Sequence, residues 1–342
     1  MSFTREKRKA IKRYMLDKIA NSQSDIIEKT VNTFGITPNT VYRYLRELAS
    51  DDAISKNGRK YTLKKNIHAY KLSIQDLPKD SEDTIYKQYV EPYVQGFDDN
   101  IIHMWYYCFT EMINNVLDHS EASKVTIYIA QDYMYTTIII DDNGIGIFNK
   151  IKSYYHFPTI EDAIMELFKG KLTTDKAHHS GEGIFFSSRI MDVFAAVSSE
   201  KIFSHTEFND LVEDLKEYPA LNSSEQYKVG TVILMKLSNH SNKSTGEIMD
   251  QYANVDGGFI RTIIPIKNIY PDYPVSRSQA KRLTHRFDAF QEIQLDFNGV
   301  SEIGQGFAHE IFVVFQKQHP EVQLIPINAN ASIQKMIHHV TN

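Results

Sequence analysis

Glu111 and Asn115 lie four residues apart in the apolar stretch DDNIIHMWYYCFTEMINNVLDHS, so on a helix they project from one face. A carboxylate and a carboxamide stacked one turn apart can take a proton from water and offer an oxygen to a hard cation. Asp118 and His119 follow at the end of the same stretch. Asp142 closes a β-branched run in IIIDDNGIGI, which puts a carboxylate at a strand end. Gly144 and Gly146 behind it let the backbone come close to a flat ligand. Asn143-Gly144 is also a hairpin signal, but the residues that follow, FNKIKSYYHFPT, do not alternate as a returning strand would. In HHSGEGIFFSSRIMD, Gly181 and Gly183 precede an apolar helical segment. A glycine turn feeding a helix N-terminus suits a phosphate group. YKVGTVILMKLS is a strand opened by Gly230-Thr231.

The elements that must position these groups are legible around them. Ile101, Trp105, Tyr106, Phe109, Ile113 and Leu117 keep helical spacing, which predicts a long buried helix under Glu111. KVTIYIAQ and YTTIIID read as two strands. The order of the pieces resembles the GHKL superfamily over roughly residues 100 to 240: Glu-x-x-x-Asn on a helix, Asp-x-Gly-x-Gly, Gly-x-Gly before a helix, then Gly-Thr opening a strand. This is the ATP-binding fold of DNA gyrase, histidine kinases and the mismatch-repair ATPase. No GxxxxGK[ST] occurs, so a P-loop is not implied.

The resemblance implies ATP and Mg²⁺ as cofactors. It gives Asp142 the adenine amino group, with Thr231 supporting it through a water, and Asn115 the Mg²⁺ ion. Gly181 and Gly183 would approach the phosphates, and Asp118, Gly144, Gly146, Ile147, Ser180, Glu182 and Ile184 would complete the nucleotide contacts. Glu111 takes the place of the general base. Residues 148 to 180 become a lid, in which Lys171, Lys176, His178 and His179 are read as solvated. Histidine kinases usually place Asn where Glu111 stands, and no dimerisation segment with a phosphoacceptor histidine is evident. His103 reads as a packed or surface residue. Glutamate at this position suits members that hydrolyse ATP and the anti-sigma-factor serine kinases.

The 342-residue chain has length for two or three domains and, at 42% apolar residues, material for real cores. Its single cysteine, Cys108, excludes a disulfide framework. No apolar run approaches ~18 residues, and no signal core follows the charged N-terminus, so a cytoplasmic protein without a membrane span is expected. Net charge is −5, unevenly spread: residues 1–65 hold 15 Lys and Arg against 7 Asp and Glu, so the head carries +8 and the remainder −13. A basic head on an acidic body suits a polyanionic partner.

Three helices are expected in that head: one over 4–21, one capped by Ser24 or Asp25 and stopped at Gly35, and one opened by Thr37-Pro38. A hairpin around Asn57-Gly58 follows. This resembles a winged helix-turn-helix, which implies that Arg43, Arg46, Lys56, Arg59 and Lys60 meet duplex DNA. A protein-binding role for the same basic face is the alternative. In the tail, strands and helices alternate after a cap at Ser276 or Ser278. The strand EIQLDF, the turn DFNGVSEIGQGFA and the next helix resemble the STAS-like domain of unknown function that often follows GHKL ATPases. STAS domains carry a target serine at the helix start. Here that place reads Gly304-Gln305-Gly306, with Ser301 before it.

The expected fold is multidomain α+β: a winged helix (1–66), a connector (67–97), a Bergerat-type α/β sandwich ATP-binding domain (98–242), a linker (243–271) and a small α/β STAS-like domain (272–342). The expected function is that of an ATP-controlled regulator whose head binds DNA and which works as a homo-oligomer, a dimer, with the tail open to a protein partner. Alternatives are a serine kinase of anti-sigma type acting on a STAS partner, and an ATP-locked assembly subunit.

Overall fold

The computed structural model describes residues 3–21, 25–58, 60–78, 81–172, 181–205, 230–254, 256 and 258–342. Three helices open the chain: α1 (Arg5–Ala20), α2 (Ile26–Phe34) and α3 (Pro38–Ser50). Thr4 caps α1 by accepting from the Lys7 amide. Gly35, at φ 61°, ends α2 in the left-handed conformation that glycine takes without strain. Ile11, Met15 and Ile19 from α1 meet Val41, Tyr44, Leu45 and Leu48 from α3 in a core of their own. An antiparallel hairpin follows, β1 (Ile54–Asn57) and β2 (Lys60–Leu63). Asn57 pairs with Lys60, so the turn falls one residue later than the Asn57-Gly58 signal suggests.

The body is built on a six-stranded antiparallel sheet of β3 (Asn66–Ser73), β4 (Lys124–Gln131), β5 (Tyr135–Asp142), β6 (Val193–Ser198), β7 (Lys201–Ser204) and β8 (Thr231–Ser238), in the order β3-β4-β5-β8-β6-β7. β3 lies in the stretch expected as a connector, yet it pairs along its full length with β4. As an edge strand it is largely exposed, so it lacks the apolar pattern that betrays a buried one. β5 is buried on both faces. Ile138 and Ile140 enter the main core, while the pleat sends Ile139 to a second cluster with Val197, Val232 and Leu234.

Helices α4 (Glu82–Tyr89), α5 (Glu91–Val94), α6 (Asp99–Asn114), α7 (Ile147–Tyr155), α8 (Ile160–Lys169), α9 (Gly183–Ile190) and α10 (Thr245–Asp250) belong to this body. α6 buries Ile101, Met104, Trp105, Cys108, Phe109, Met112 and Ile113 and runs on into a widened π turn over Asn115–His119. Tyr106, placed by spacing on the buried face, is exposed and donates to Asp83. Of the stretch expected as a lid, residues 148–172 are packed: Phe148 on α7 and Ala163 on α8 have no exposure at all. Residues 173–180 lie outside the described residues.

The tail carries a three-stranded parallel sheet, β11-β10-β9, formed by β9 (Arg261–Pro265), β10 (Glu292–Asp296) and β11 (Gln323–Ile327). Around it lie α11 (Ile266–Ile269), α12 (Arg277–Thr284), α13 (Gln305–His309, prolonged to Gln318) and α14 (Ala331–Thr341). Ser276 caps α12 in a capping box with Gln279. β9 falls in the expected linker but is a full member of this sheet. Tail residues Phe259, Leu283, Phe287, Ile293 and Leu295 belong to the same apolar core as Trp105, Phe168 and Phe185 of the body.

The head is different, because its core is separate. Tyr133, in the β4–β5 turn, reaches it from the body and packs on His240 at a centroid distance of 4.9 Å. Tyr133→Ala should therefore leave both cores folded but loosen the head. Limited proteolysis should then cut near residues 64–66, while the body melts within about 2 °C of the wild type. Resistance to cleavage equal to that of the wild type would mean that Tyr133 does not hold the head.

Candidate functional site

One cavity gathers groups from distant parts of the chain. Glu111, Asn115, Asp142, Gly146, Ile147, Gly181, Glu182, Gly183, Ile184 and Thr231, all singled out by sequence, line it. Asp118 and Gly144 do not. Asp118 is exposed on the π turn, where the residue four after Asn115, His119, faces the cavity instead. Ser180 lies outside the described residues, as do Lys176, His178 and His179.

Asp142 sits at the end of β5, opposite Thr231, the first residue of β8. Its carboxylate is 4% exposed and accepts from the Gly144 amide at 2.7 Å. The amide and the hydroxyl of Thr231 also donate to it. That hydroxyl in turn accepts from the Ile147 amide at 3.0 Å, so its single proton is committed to Asp142. Thr231 thus supports Asp142 directly, where a bridging water was expected. Burial pushes the Asp142 carboxyl up to about 6, against the pull of these three donors. Asp141, on the opposite face, is pushed up to about 6 by burial and by its neighbour's charge.

The glycines are needed for contact. A Cβ on Gly144 would collide with the Ser120 carbonyl, and one on Gly230, at φ 102°, with the Asp142 carbonyl. Gly144 therefore serves the carboxylate's seat, while Gly146 lines the cavity and is pressed against the Ser198 hydroxyl.

At the far end of the cavity Glu111 lies against Gly183, where a Cβ would strike its carboxylate oxygen. Gly183 begins α9, whose N-cap residue Glu182 makes no side-chain cap bond. The cap residue thus gives the first amides of that helix no side-chain acceptor of its own. Below Glu111, the Tyr107 phenol is pushed strongly up by burial and by the charges of Glu111 and Glu182. Among the described residues the lysine of the lining is Lys150, which pairs with Glu121 at 2.8 Å. Lys171, read from sequence as a solvated lid residue, donates instead to the Ala289 carbonyl of the tail at 2.7 Å.

Sequence reasoning passed over His119, Lys150, Gly170 and Leu172, which also line the cavity. His119 had a signal, lying eight residues after Glu111 and four after Asn115 on one helical face. Gly170, the residue that ends α8, could have been found as a helix stop. Lys150 and Leu172 had none. In the head, Arg43, Arg46, Lys56 and Lys60 are exposed. Arg43 lies 3.8 Å from Glu47, a loose pair at the surface. Arg59 lies outside the described residues.

Among the described residues no group of three His, Cys, Asp or Glu side chains could hold a metal ion, and no helix is long and apolar enough to cross a membrane. Together, the chain is a mixed α/β multidomain protein with several sheets, and its cavity joins a buried acceptor to an uncapped helix start. Residues 279–334 match the family described as the STAS-like domain of unknown function (DUF4325), which supports the expectation for the tail. The match spans β10, α13 and β11 and leaves β9 outside. No curated protein matches the chain.

A carboxyl group that holds its proton more tightly folded than unfolded favours the fold at low pH and costs stability as the pH rises through 4 to 6. Asp142 is such a group. Asp142→Asn keeps an oxygen for the Gly144 amide and removes the buried charge. Its stability relative to the wild type should improve by roughly 1–3 kcal/mol from pH 4 to pH 7, on top of a pH-independent cost for offering three donors one acceptor oxygen in place of two. Thermal melts at both pH values test this, and a gain that does not grow with pH contradicts the burial account.

Proposed function

We propose that this chain binds ATP with Mg²⁺ in the cavity and hydrolyses it slowly, as a GHKL-type enzyme of the Bergerat fold, and that the nucleotide governs a DNA-binding winged-helix head. The observation that carries the reading is the convergence of Glu111, Asn115, Asp142, Gly146, Gly181, Gly183 and Thr231, from four separate stretches of chain, on one cavity. Near pH 7 Asp142 is mostly ionised and purely an acceptor, which suits the amino group of adenine. Guanine offers no amino group at that edge, so a buried carboxylate there disfavours it.

The start of α9 suits a phosphate group. Asn115 can give one oxygen to Mg²⁺, an ion that usually takes one or two protein ligands and completes its shell with phosphate and water. Glu111, beside the α9 start, suits the role of a base that takes a proton from an attacking water. The exposed cations Arg43, Arg46, Lys56 and Lys60 on the head suit duplex phosphates, and a dimer would present two heads to a paired site. The STAS-like tail suits a protein partner.

The fate of labelled ATP tests the enzyme reading. Glu111→Ala should keep ATP affinity and lose about 10²–10⁴ in turnover, whereas Asp142→Asn should weaken binding roughly 10- to 100-fold. Unchanged affinity in Asp142→Asn removes the pocket assignment. Phosphate transferred to a protein would replace hydrolysis by a kinase reaction.

The double change Arg43→Ala and Arg46→Ala should weaken duplex binding. For every phosphate that is no longer neutralised, the slope of log K against log salt should flatten by about 0.9. Duplex affinity that ignores salt in the wild type rules out a DNA-binding head.

A further inference from the structure

Residues 166–172, the last turn of α8 and the chain leaving it, have two faces. Leu167, Gly170 and Leu172 line the cavity. The residues between them bond to the tail. Lys169 has no exposure, and its ammonium donates to Glu166 at 2.7 Å, to the His285 carbonyl at 2.7 Å and to the Arg282 carbonyl at 3.4 Å. Glu166 is 2% exposed; its second oxygen accepts from Arg286 at 2.9 Å, and His285 Nδ1 lies 3.0 Å from the first. The Arg286 guanidinium donates also to the Lys171 carbonyl. Lys171 reaches back to the Ala289 carbonyl and lies 4.8 Å from the Phe290 ring centroid. From β9, Thr262 donates to the Lys169 carbonyl at 2.8 Å.

Apolar packing would have sufficed to join tail to body, and buried ion clusters of this kind are poor stabilisers compared with apolar side chains of the same volume. What a hydrogen-bonded cluster adds is a defined position. Burial raises the Glu166 carboxyl, but Lys169, His285 and Arg286 outweigh it and hold it below the usual range, whereas at Lys169 burial wins and lowers the ammonium. Arg286 itself is held at φ 62°, a left-handed conformation that side chains rarely adopt.

We propose that the tail fixes one wall of the cavity, with Arg286 acting as a positioning residue for the nucleotide although it lies in the tail, over 100 residues along the chain from α8. The proposal rests on the ATP reading for the identity of the ligand and on the cluster alone for the wall. Because coupling is reciprocal, an ATP-filled cavity must then also bias the tail, and a partner seated on the tail changes ATP affinity by the same factor.

The test uses the full chain. Arg286→Ala should raise the Kd for Mg·ATP roughly 3- to 30-fold. It should speed hydrogen exchange selectively at the amides of residues 167–172 while leaving those of α6 and β5 as they were. Glu166→Gln should do the same, and the double variant should fall short of the product of the two effects, since both remove one interaction. Should either variant fail to fold, Lys171→Met, which loses the bond to Ala289 and the ammonium's contacts with the Phe259 and Phe290 rings, replaces it with the same two readouts. Unchanged exchange at 167–172 overturns the proposal, as does faster exchange there with unaltered ATP affinity. A wild type that binds no ATP defeats the nucleotide reading, and exchange alone then decides whether the tail holds the wall.

Discussion

The structure depends first on keeping one carboxylate, that of Asp142, out of water. Burial penalises its charge, and the fold answers with three donors on a single side chain: the Gly144 amide and the amide and hydroxyl of Thr231. The two donors of Thr231 are available only because β5 and β8 are neighbours in register, with Asp142 opposite Thr231. The register in turn is fixed by the opposed burial of Ile138, Ile139 and Ile140, since a slip of one residue would exchange the two faces. Gly144 and Gly230 follow from the same requirement, because a side chain at either position would push into the backbone that seats the carboxylate.

Much of this was legible locally. Glu111 and Asn115 share a helix face by spacing alone, and the glycines around Asp142 and before α9 announce themselves as backbone that must come close to something. The head's helices were readable from caps and from Ile11, Met15 and Ile19. Residues whose role is set by a distant partner were not legible. β3 is an exposed edge strand, and its pairing with β4 leaves no pattern in its own sequence. Glu166 and Lys169 gave no signal in sequence, because nothing nearby says that His285 and Arg286 will enclose them. Tyr106 kept the apolar period yet faces out, since its hydroxyl finds Asp83.

The body and tail share one core, whereas the head keeps its own and meets the body through Tyr133. The difference matters for how a signal could travel. Two parts with a common core move together or repack together, because close-packed interiors do not deform gradually. A part with its own core can turn about a small contact. β5 runs from the turn that carries Tyr133 to the carboxylate at Asp142, so the head's contact and the cavity's acceptor stand at opposite ends of one strand, buried from Thr136 to Asp142.

The parallel pairing of β9 with β10 has a practical consequence for anyone cutting the gene. The recognisable family segment begins at residue 279, after β9 has already passed. A fragment started there would leave β10 without its neighbour along Arg261–Pro265 and bare a row of backbone donors and acceptors beside the apolar side chains of Ile293 and Leu295. Such an edge is a template for pairing between molecules. The smallest well-behaved piece of the tail therefore starts before Arg261. Even that piece would carry Phe259, on which Phe290 packs, stripped of Phe185, so the chain resists being divided where the family segment begins.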